Sequence, residues 1–386
     1  MGVSKQFDGA RLKAIREARM MTAKKLSTES GVSTTTISRV EHGGEMSLDV
    51  AEKLATALNT RVNVFEGPAD DYSSPVYFRS LSAATKTARK AQSARSAMAN
   101  ALLDEFEVYL DFPKFNLSDV CHEKNINALT DGVIDDAALE VRRIWGLDNG
   151  PISNLTGVAE ANGIVIAMTP FSVDTLDGFS QMGELGRPIV FVNTDKGTAF
   201  RWRFDLGHEI GHMVLHQNLE DIAIGESTTN KLLEQQASYF SGALLMPEES
   251  FVRSLPGLGI NDFLSVKNYW GVSLQAMLYR ARNIGILDEQ QYAARQVTIS
   301  KKKWRRHEPF DDQRLPERPT LLRTCTTMCV QQCGIPVQQI MDEAGVPEDI
   351  FEDLVGVQRG YVRNGGFEPQ VQNVNAKVVS FTNLRK

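Results

Sequence analysis

The chain has 386 residues, 42% hydrophobic and 23% charged, the composition of ordinary globular chains, and its length favours two or three domains over one. The first twenty residues carry charge throughout and no apolar run nears membrane-spanning length. The expectation is therefore a soluble, cytoplasmic protein without leader or membrane span. Gln6 stands where a myristoylation signal wants Ser or Thr, four cysteines argue against a disulfide scaffold, and a net charge of −6 means that any DNA-binding surface is local.

From Gly9 to Phe65 apolar residues recur at helical spacing, among them Leu12, Ile15, Leu26, Ile37, Val40 and Leu54, with breaks at Gly31 and at Gly43-Gly44. Within this run Thr22 caps one helix, Gly31-Val32 turns the chain, and Ser33 caps a second helix. That pattern is a helix-turn-helix, whose second helix would carry Ser33, Thr34, Thr35, Ser38 and Arg39 to base edges or phosphates of a double-stranded DNA operator. "IREARMMTAKKLS…GVSTTTISRVEHG…LATALN" resembles the lambda-repressor/Cro-like (XRE) family over about residues 8 to 66. It departs from the family where Ala23 replaces the Gln that usually opens the first of the two helices. Ten Lys/Arg against eight Asp/Glu up to Gly67 leave a thin electrostatic footprint.

"GPADDYSSPVYFRS" reads as a linker. Five basic residues follow, Arg79, Lys86, Arg89, Lys90 and Arg95, with no carboxylate before Asp104, and suit either flanking phosphates or a solvated helix face. Further on, Val141 to Trp145 ends an amphipathic helix. "GIVIAM" and "PIVFVN" are short strands, and "DTLDGFSQMGELG" between them supplies turns.

"RFDLGHEIGHMVLH" holds three of the six histidines. His208 and His212 lie one helical turn apart, about 6 Å along the axis, with both imidazoles on one face. Two neutral nitrogens so placed can share a tetrahedral metal ion, and Glu209 can reach its open position as a base. His216 lies about 12 Å from His208 along the helix, too far to join them, and is read as lining the pocket or supporting a ligand. A third ligand is needed. Glu234, the first carboxylate of the helix in "KLLEQQASYFSGALLMP", is the best placed, with Glu220 and Glu226 in the preceding loop as substitutes. The same stretch also alternates Leu206, Ile210, Met213 and Val214 as a core helix would.

"HEIGHMVLH" followed by "LEQQASYFSGALLMPEESF" resembles the ImmA/IrrE family of zinc metallopeptidases, with looser similarity upstream and downstream through "KKWRRHEP". The resemblance implies His208, His212 and Glu234 as zinc ligands, with manganese the alternative metal, and Glu209 as catalytic base. It also implies cleavage of an XRE-type repressor under stress or in phage or mobile-element control.

Beyond the peptidase helices, "SVKNYWGVSLQAMLYRARNIG" and "VQQIMDEAGVPEDIFEDL" echo the helix-turn-helix pattern, with packing as their expected role. Cys325, Cys329 and Cys333 fall on one helical stripe spread over about 12 Å, which suits core residues and rules out a single shared ion. "KKKWRRHEP" reads as a solvated basic loop.

The fold expected is α+β and mostly helical: an N-terminal helix-turn-helix bundle, a central small sheet with HExxH zincin-like helices, and a C-terminal helical region. Its boundaries are 8–66 for the DNA-binding domain, 67–78 linker, 79–150 helical connector, 151–255 peptidase core, 256–310 helical extension and 311–386 C-terminal region and tail. Two functions follow. One is a homodimeric transcriptional regulator carrying a zinc endopeptidase that cuts an XRE-type repressor, itself or a partner. The other is an antitoxin-like DNA-binding repressor whose metal domain is structural or a sensor. Glu209 separates them, because a structural site has no need of a base.

Overall fold

The computed structural model describes residues 7–67, 85–169, 178–183, 186–193, 198–220 and 227–367. Among them sixteen α-helices surround one three-stranded sheet, a mostly helical α+β fold. None of these helices is long and apolar enough to cross a membrane. The expected linker beyond Gly67, Arg79, Glu226 and the tail after Phe367 lie outside the described residues.

The N-terminal bundle comprises α1 (Gly9–Ala18), α2 (Ala23–Ser30), α3 (Thr34–Glu41), α4 (Leu48–Ala57) and a 3-10 turn at Val62–Phe65. Thr22 and Ser33 each accept a hydrogen bond from the backbone three residues on, and Gly31 closes α2 at φ +71, a conformation that penalises any side chain. Leu12, Ile15, Leu26, Ile37, Val40 and Leu54 are wholly buried between the helices.

Helix α5 (Lys86–Glu107) runs against α1. It is followed by α6 (Asp131–Ile144), α7 (Leu155–Ala161) and the strands β1 (Val165–Thr169), β2 (Gly178–Met182) and β3 (Pro188–Asn193). The central strand β3 pairs parallel with β1 and antiparallel with β2. All six β3 residues are buried, which explains why "PIVFV" is continuously apolar before Asn193: both faces of the strand meet helices. β2 lies inside the stretch read as turns. Only its burial alternates, with Phe179 and the polar Gln181 inward and Met182 exposed, as suits an edge strand with one half-open face; the residue types themselves show no period of two.

Next come α8 (Ala199–Leu215), α9 (Ser227–Leu245), α10 (Glu248–Ser254), α11 (Ile260–Trp270), α12 (Leu274–Asn283) and α13 (Glu289–Lys301), then α14 (Leu321–Gln331), α15 (Val337–Glu343) and α16 (Glu348–Val355). The sheet separates two cores. In the first, Val165, Ala167, Phe179, Ile189 and Phe191 pack with α5, α14 to α16 and the N-terminal bundle; in the second, Ile166, Val190 and Val192 face α6 to α13.

Both helix-turn-helix echoes bury their apolar faces. Around Gly271 (φ +65), Trp270, Val272, Leu274 and Met277 enter the second core. Around Gly345, Ile340, Met341, Ile350 and Phe351 enter the first. Cys325 and Cys329 are buried on α14, where burial pushes their thiols up to about 12 and about 11, while Cys333 is exposed. In the basic run after α13, Glu308 departs from a solvated loop: it is buried, accepts from the backbone of Leu274 and Gln275, and pairs with the buried Lys267 at 2.9 Å.

The N-terminal bundle is seated on the rest of the chain by cations. Arg11, 1% exposed, donates to the carbonyls of Glu66, Asp342 (3.0 Å) and Glu343 (2.7 Å). Arg19 and Arg61 pair with Asp349 and Asp342. From α5, Lys90 pairs with Glu17, and Arg95 donates to the Ala18 carbonyl and the Thr169 hydroxyl. Two of the five residues considered for phosphate contact therefore bind α1, while Lys86 and Arg89 are exposed. Replacing Arg11 by Met leaves three carbonyls without their donor and is expected to lower stability by about 3 kcal/mol, read as a fall in the urea midpoint. An unchanged midpoint contradicts this seat.

Candidate metal centre

Helix α8 buries Leu206, Ile210 and Val214 in the second core and turns its glycines toward α9. A methyl group at Gly207 would stand 2.6 Å from Ser241 Oγ, and one at Gly211 would stand 3.1 Å from the Ala237 carbonyl. Glycine facing alanine and serine is what lets the two helices approach so closely.

That approach brings Glu234 to the histidine pair. Its carboxylate oxygens lie 3.1 Å from His208 Nε2 and 3.5 Å from His212 Nε2, and the two Nε2 atoms are 3.1 Å apart. Among the described residues this is the one group of three ligand-type side chains whose donor atoms all lie within 4.8 Å of one another. A tetrahedral ion with ligands at about 2.0–2.1 Å has ligand–ligand edges of about 3.3 Å, so the triangle fits such an ion without rearrangement. Glu220 is turned away, exposed and paired with Lys124.

The far sides of the imidazoles are held as well. His208 Nδ1 meets Ser238 Oγ at 3.1 Å and His212 Nδ1 meets His216 Nδ1 at 2.9 Å. His216 Nε2 reaches Gln236 Oε1 at 3.3 Å, and Gln236 Nε2 donates to the carbonyls of Ile126 (2.8 Å) and Leu129 (3.2 Å). With a metal bound at the Nε2 lone pairs, the bonds of this chain would run outward: His212 Nδ1 would donate to His216 Nδ1, and His216 Nε2 to Gln236 Oε1. Burial would lower the His208 pKa, but its bond to Glu234 and the carboxylates of Glu209, Glu234 and Asp205 raise it overall. Burial would raise Glu234, yet its bonds to His208 and His212 hold it well below the usual carboxylate range.

Glu209 is 5% exposed and accepts a hydrogen bond from Ser180 Oγ of β2 at 2.6 Å. Sequence reasoning missed Ser180, Ser238 and Gln236. The last two were within reach as near neighbours of Glu234 on one helix, whereas Ser180 is distant in sequence and lies in a strand that the pattern did not reveal.

In the N-terminal bundle, Thr34, Thr35, Ser38 and Arg39 are exposed on α3, opposite the buried Ile37 and Val40, and Ser33 is exposed at its cap. Arg39 also donates to the Glu45 carbonyl at 3.0 Å.

Two sequence families match: the helix-turn-helix family over residues 12–65 and the IrrE N-terminal-like domain, a peptidase family, over residues 159–282. The chain is a fusion of an XRE-type helix-turn-helix with an ImmA/IrrE-like domain. No curated protein matches it. The ImmA/IrrE-like match runs from within α7 to within α12 and so contains the sheet, the histidine pair, Glu234 and Glu209. Helices α14 to α16 lie outside both matches.

His208→Ala and Glu234→Ala are each expected to abolish stoichiometric metal binding, while Glu209→Gln and Glu220→Ala retain it. Gln236→Ala, which frees His216, is expected to weaken affinity by about 10–100-fold. Metal content after dialysis and chelator competition read all five proteins.

Proposed function

We propose that the chain is a cytoplasmic, DNA-binding transcriptional regulator whose ImmA/IrrE-like domain is a zinc-dependent endopeptidase acting on an XRE-type repressor. The observation that carries this reading is the convergence of His208, His212 and Glu234 beside a base that is itself held in place. Two histidine nitrogens and one carboxylate suit zinc and leave one position open, with manganese the alternative. When bound, the metal would polarise the scissile carbonyl and acidify water. Glu209 takes the proton of the attacking water and returns it to the leaving amine. The Ser180 hydroxyl occupies Glu209 Oε2 and so keeps Oε1 for that transfer. Ser238 and the His216–Gln236 chain fix the ring orientations of His208 and His212. A metal held only for structure has no use for Glu209, which disfavours an antitoxin-like repressor without proteolysis.

Thr34, Thr35, Ser38 and Arg39, with Ser33 at the helix cap, are the proposed operator contacts, and so few charges favour a homodimer on two half-sites about one DNA turn apart. The apolar face of α5 is spent inside the chain, so it is not a free dimer contact.

The seat of the N-terminal bundle bears on the choice of substrate. A cut in the linker would leave that bundle held by Arg11, Arg19, Arg61, Arg95 and a shared core, so cleavage of a partner is favoured over release of the chain's own DNA reader. In the test, wild type and Glu209→Gln, loaded with zinc or manganese, are incubated with candidate XRE proteins. Fragments are expected from wild type alone, and fragments from the Glu209→Gln protein would sink the mechanism. With a foreign protease site inserted between residues 68 and 78, the nicked chain is expected to elute as one species and to bind operator unchanged at fixed salt. Separation of the pieces would favour cleavage of the chain itself over cleavage of a partner.

A further inference from the structure

A cleft of about 680 Å³ opens beside the metal ligands, between α8, α9, α12 and α13, and Glu234 and Ser238 line it. Three cations also line it: Arg201, Lys231 and Arg305. Among the described residues none of the three has an ion-pair partner, whereas Arg253, Arg280 and Arg282 of α10 and α12 pair with Glu249, Asp135 and Glu289. Arg201 donates to the Arg305 carbonyl and Arg305 Nε to Ser300 Oγ at 2.7 Å, bonds that position both guanidinium groups without neutralising them. Two carboxylates line it as well: Glu234, which faces the histidine pair, and Asp205. With Glu234 turned to the histidine pair, three cations stand against Asp205 in the lining, and in a chain of net charge −6 so cationic a cleft calls for an anionic occupant. Its other walls, including Tyr279, Tyr292 and Phe204, mix hydroxyls with apolar surface, as a site for one amino-acid side chain does.

We propose that this cleft is a subsite for an aspartate or glutamate side chain of the substrate, close to the scissile bond, with Arg201, Lys231 and Arg305 as its specificity residues. The proposal rests on the peptidase reading, because the cleft leads to the proposed metal. The carboxylate of the substrate meets the cations while its backbone reaches Glu209 and the histidine pair. Lys231 and Arg305 are exposed, so changing them leaves the core intact.

The test uses the full-length, zinc-loaded protein and a synthetic library of blocked octapeptides in which each position carries Glu, Gln or Lys on a varied background. Cuts by wild type are expected to favour Glu over Lys by about tenfold or more at one position within two residues of the break. Lys231→Gln/Arg305→Gln is expected to erase that preference and Lys231→Glu/Arg305→Glu to invert it, both with unchanged melting temperatures. A wild type that cuts without acidic preference, or a preference that survives charge reversal, overturns the subsite and leaves the peptidase standing. Equilibrium binding of matched Glu and Lys peptides to the Glu209→Gln protein reads the cleft without hydrolysis. Tighter binding of the Glu peptide by about tenfold upholds the subsite even where no peptide is cut, and equal or absent binding overturns it. Single-stranded oligonucleotide bound more tightly than any peptide, and lost on charge reversal, would assign the cleft to nucleic acid and overturn the proposal.

Discussion

The close packing of α8 on α9 is the contact on which the rest of the ImmA/IrrE-like domain depends. Two histidines one turn apart present two nitrogens to one point, but no residue of the same helix can supply a carboxylate from the opposite side. Glu234 does so because Gly207 and Gly211 face Ser241 and Ala237, and a side chain at either glycine would press against α9. Small residues at a helix interface commonly act through packing alone. Here they also set the size of the ligand triangle, and a shift of 1 Å between the helices would spoil its match to a tetrahedral ion.

Around that contact the chain arranges support at increasing distance. Ser238 comes with Glu234, one turn further along α9. Gln236 lies between them in sequence and points elsewhere, to His216 and the carbonyls of Ile126 and Leu129. Ser180 arrives from the edge strand, whose antiparallel pairing with β3 fixes its register and so the distance to Glu209. A single α-helix thus carries both histidines and Glu209, and three other segments orient them.

The sheet has a second role as partition. Because successive residues of β1 and β3 point to opposite faces, one set of side chains belongs to the core behind the histidine pair and the other to the core that holds the DNA-binding bundle. Both cores meet through the same few strands. The C-terminal helices α14 to α16 complete the first core, around the N-terminal bundle, and supply the carbonyls and carboxylates that receive Arg11, Arg19 and Arg61. The DNA reader is therefore part of a larger packed body, with its α3 face turned outward.

Local patterns in the sequence determined much of this. Thr22, Gly31 and Ser33 announce the helix-turn-helix because caps and a left-handed turn are decided by the residues themselves. His208, Glu209 and His212 share a helix face by spacing alone, and "PIVFVN" marks a strand buried on both sides. What the sequence left open are relations between distant segments. Glu220, Glu226 and Glu234 were all eligible third ligands, and only the close approach of α8 and α9 sets Glu234 against the histidines. β2 escaped notice because an edge strand needs few apolar residues, and with it went Ser180. The basic run on α5 looked like a surface for phosphates until packing turned Lys90 and Arg95 onto α1. A charge has no partner encoded in its own neighbourhood, so whether it meets solvent, nucleic acid or a carbonyl more than three hundred residues away, as Arg11 does, is decided only when the chain packs.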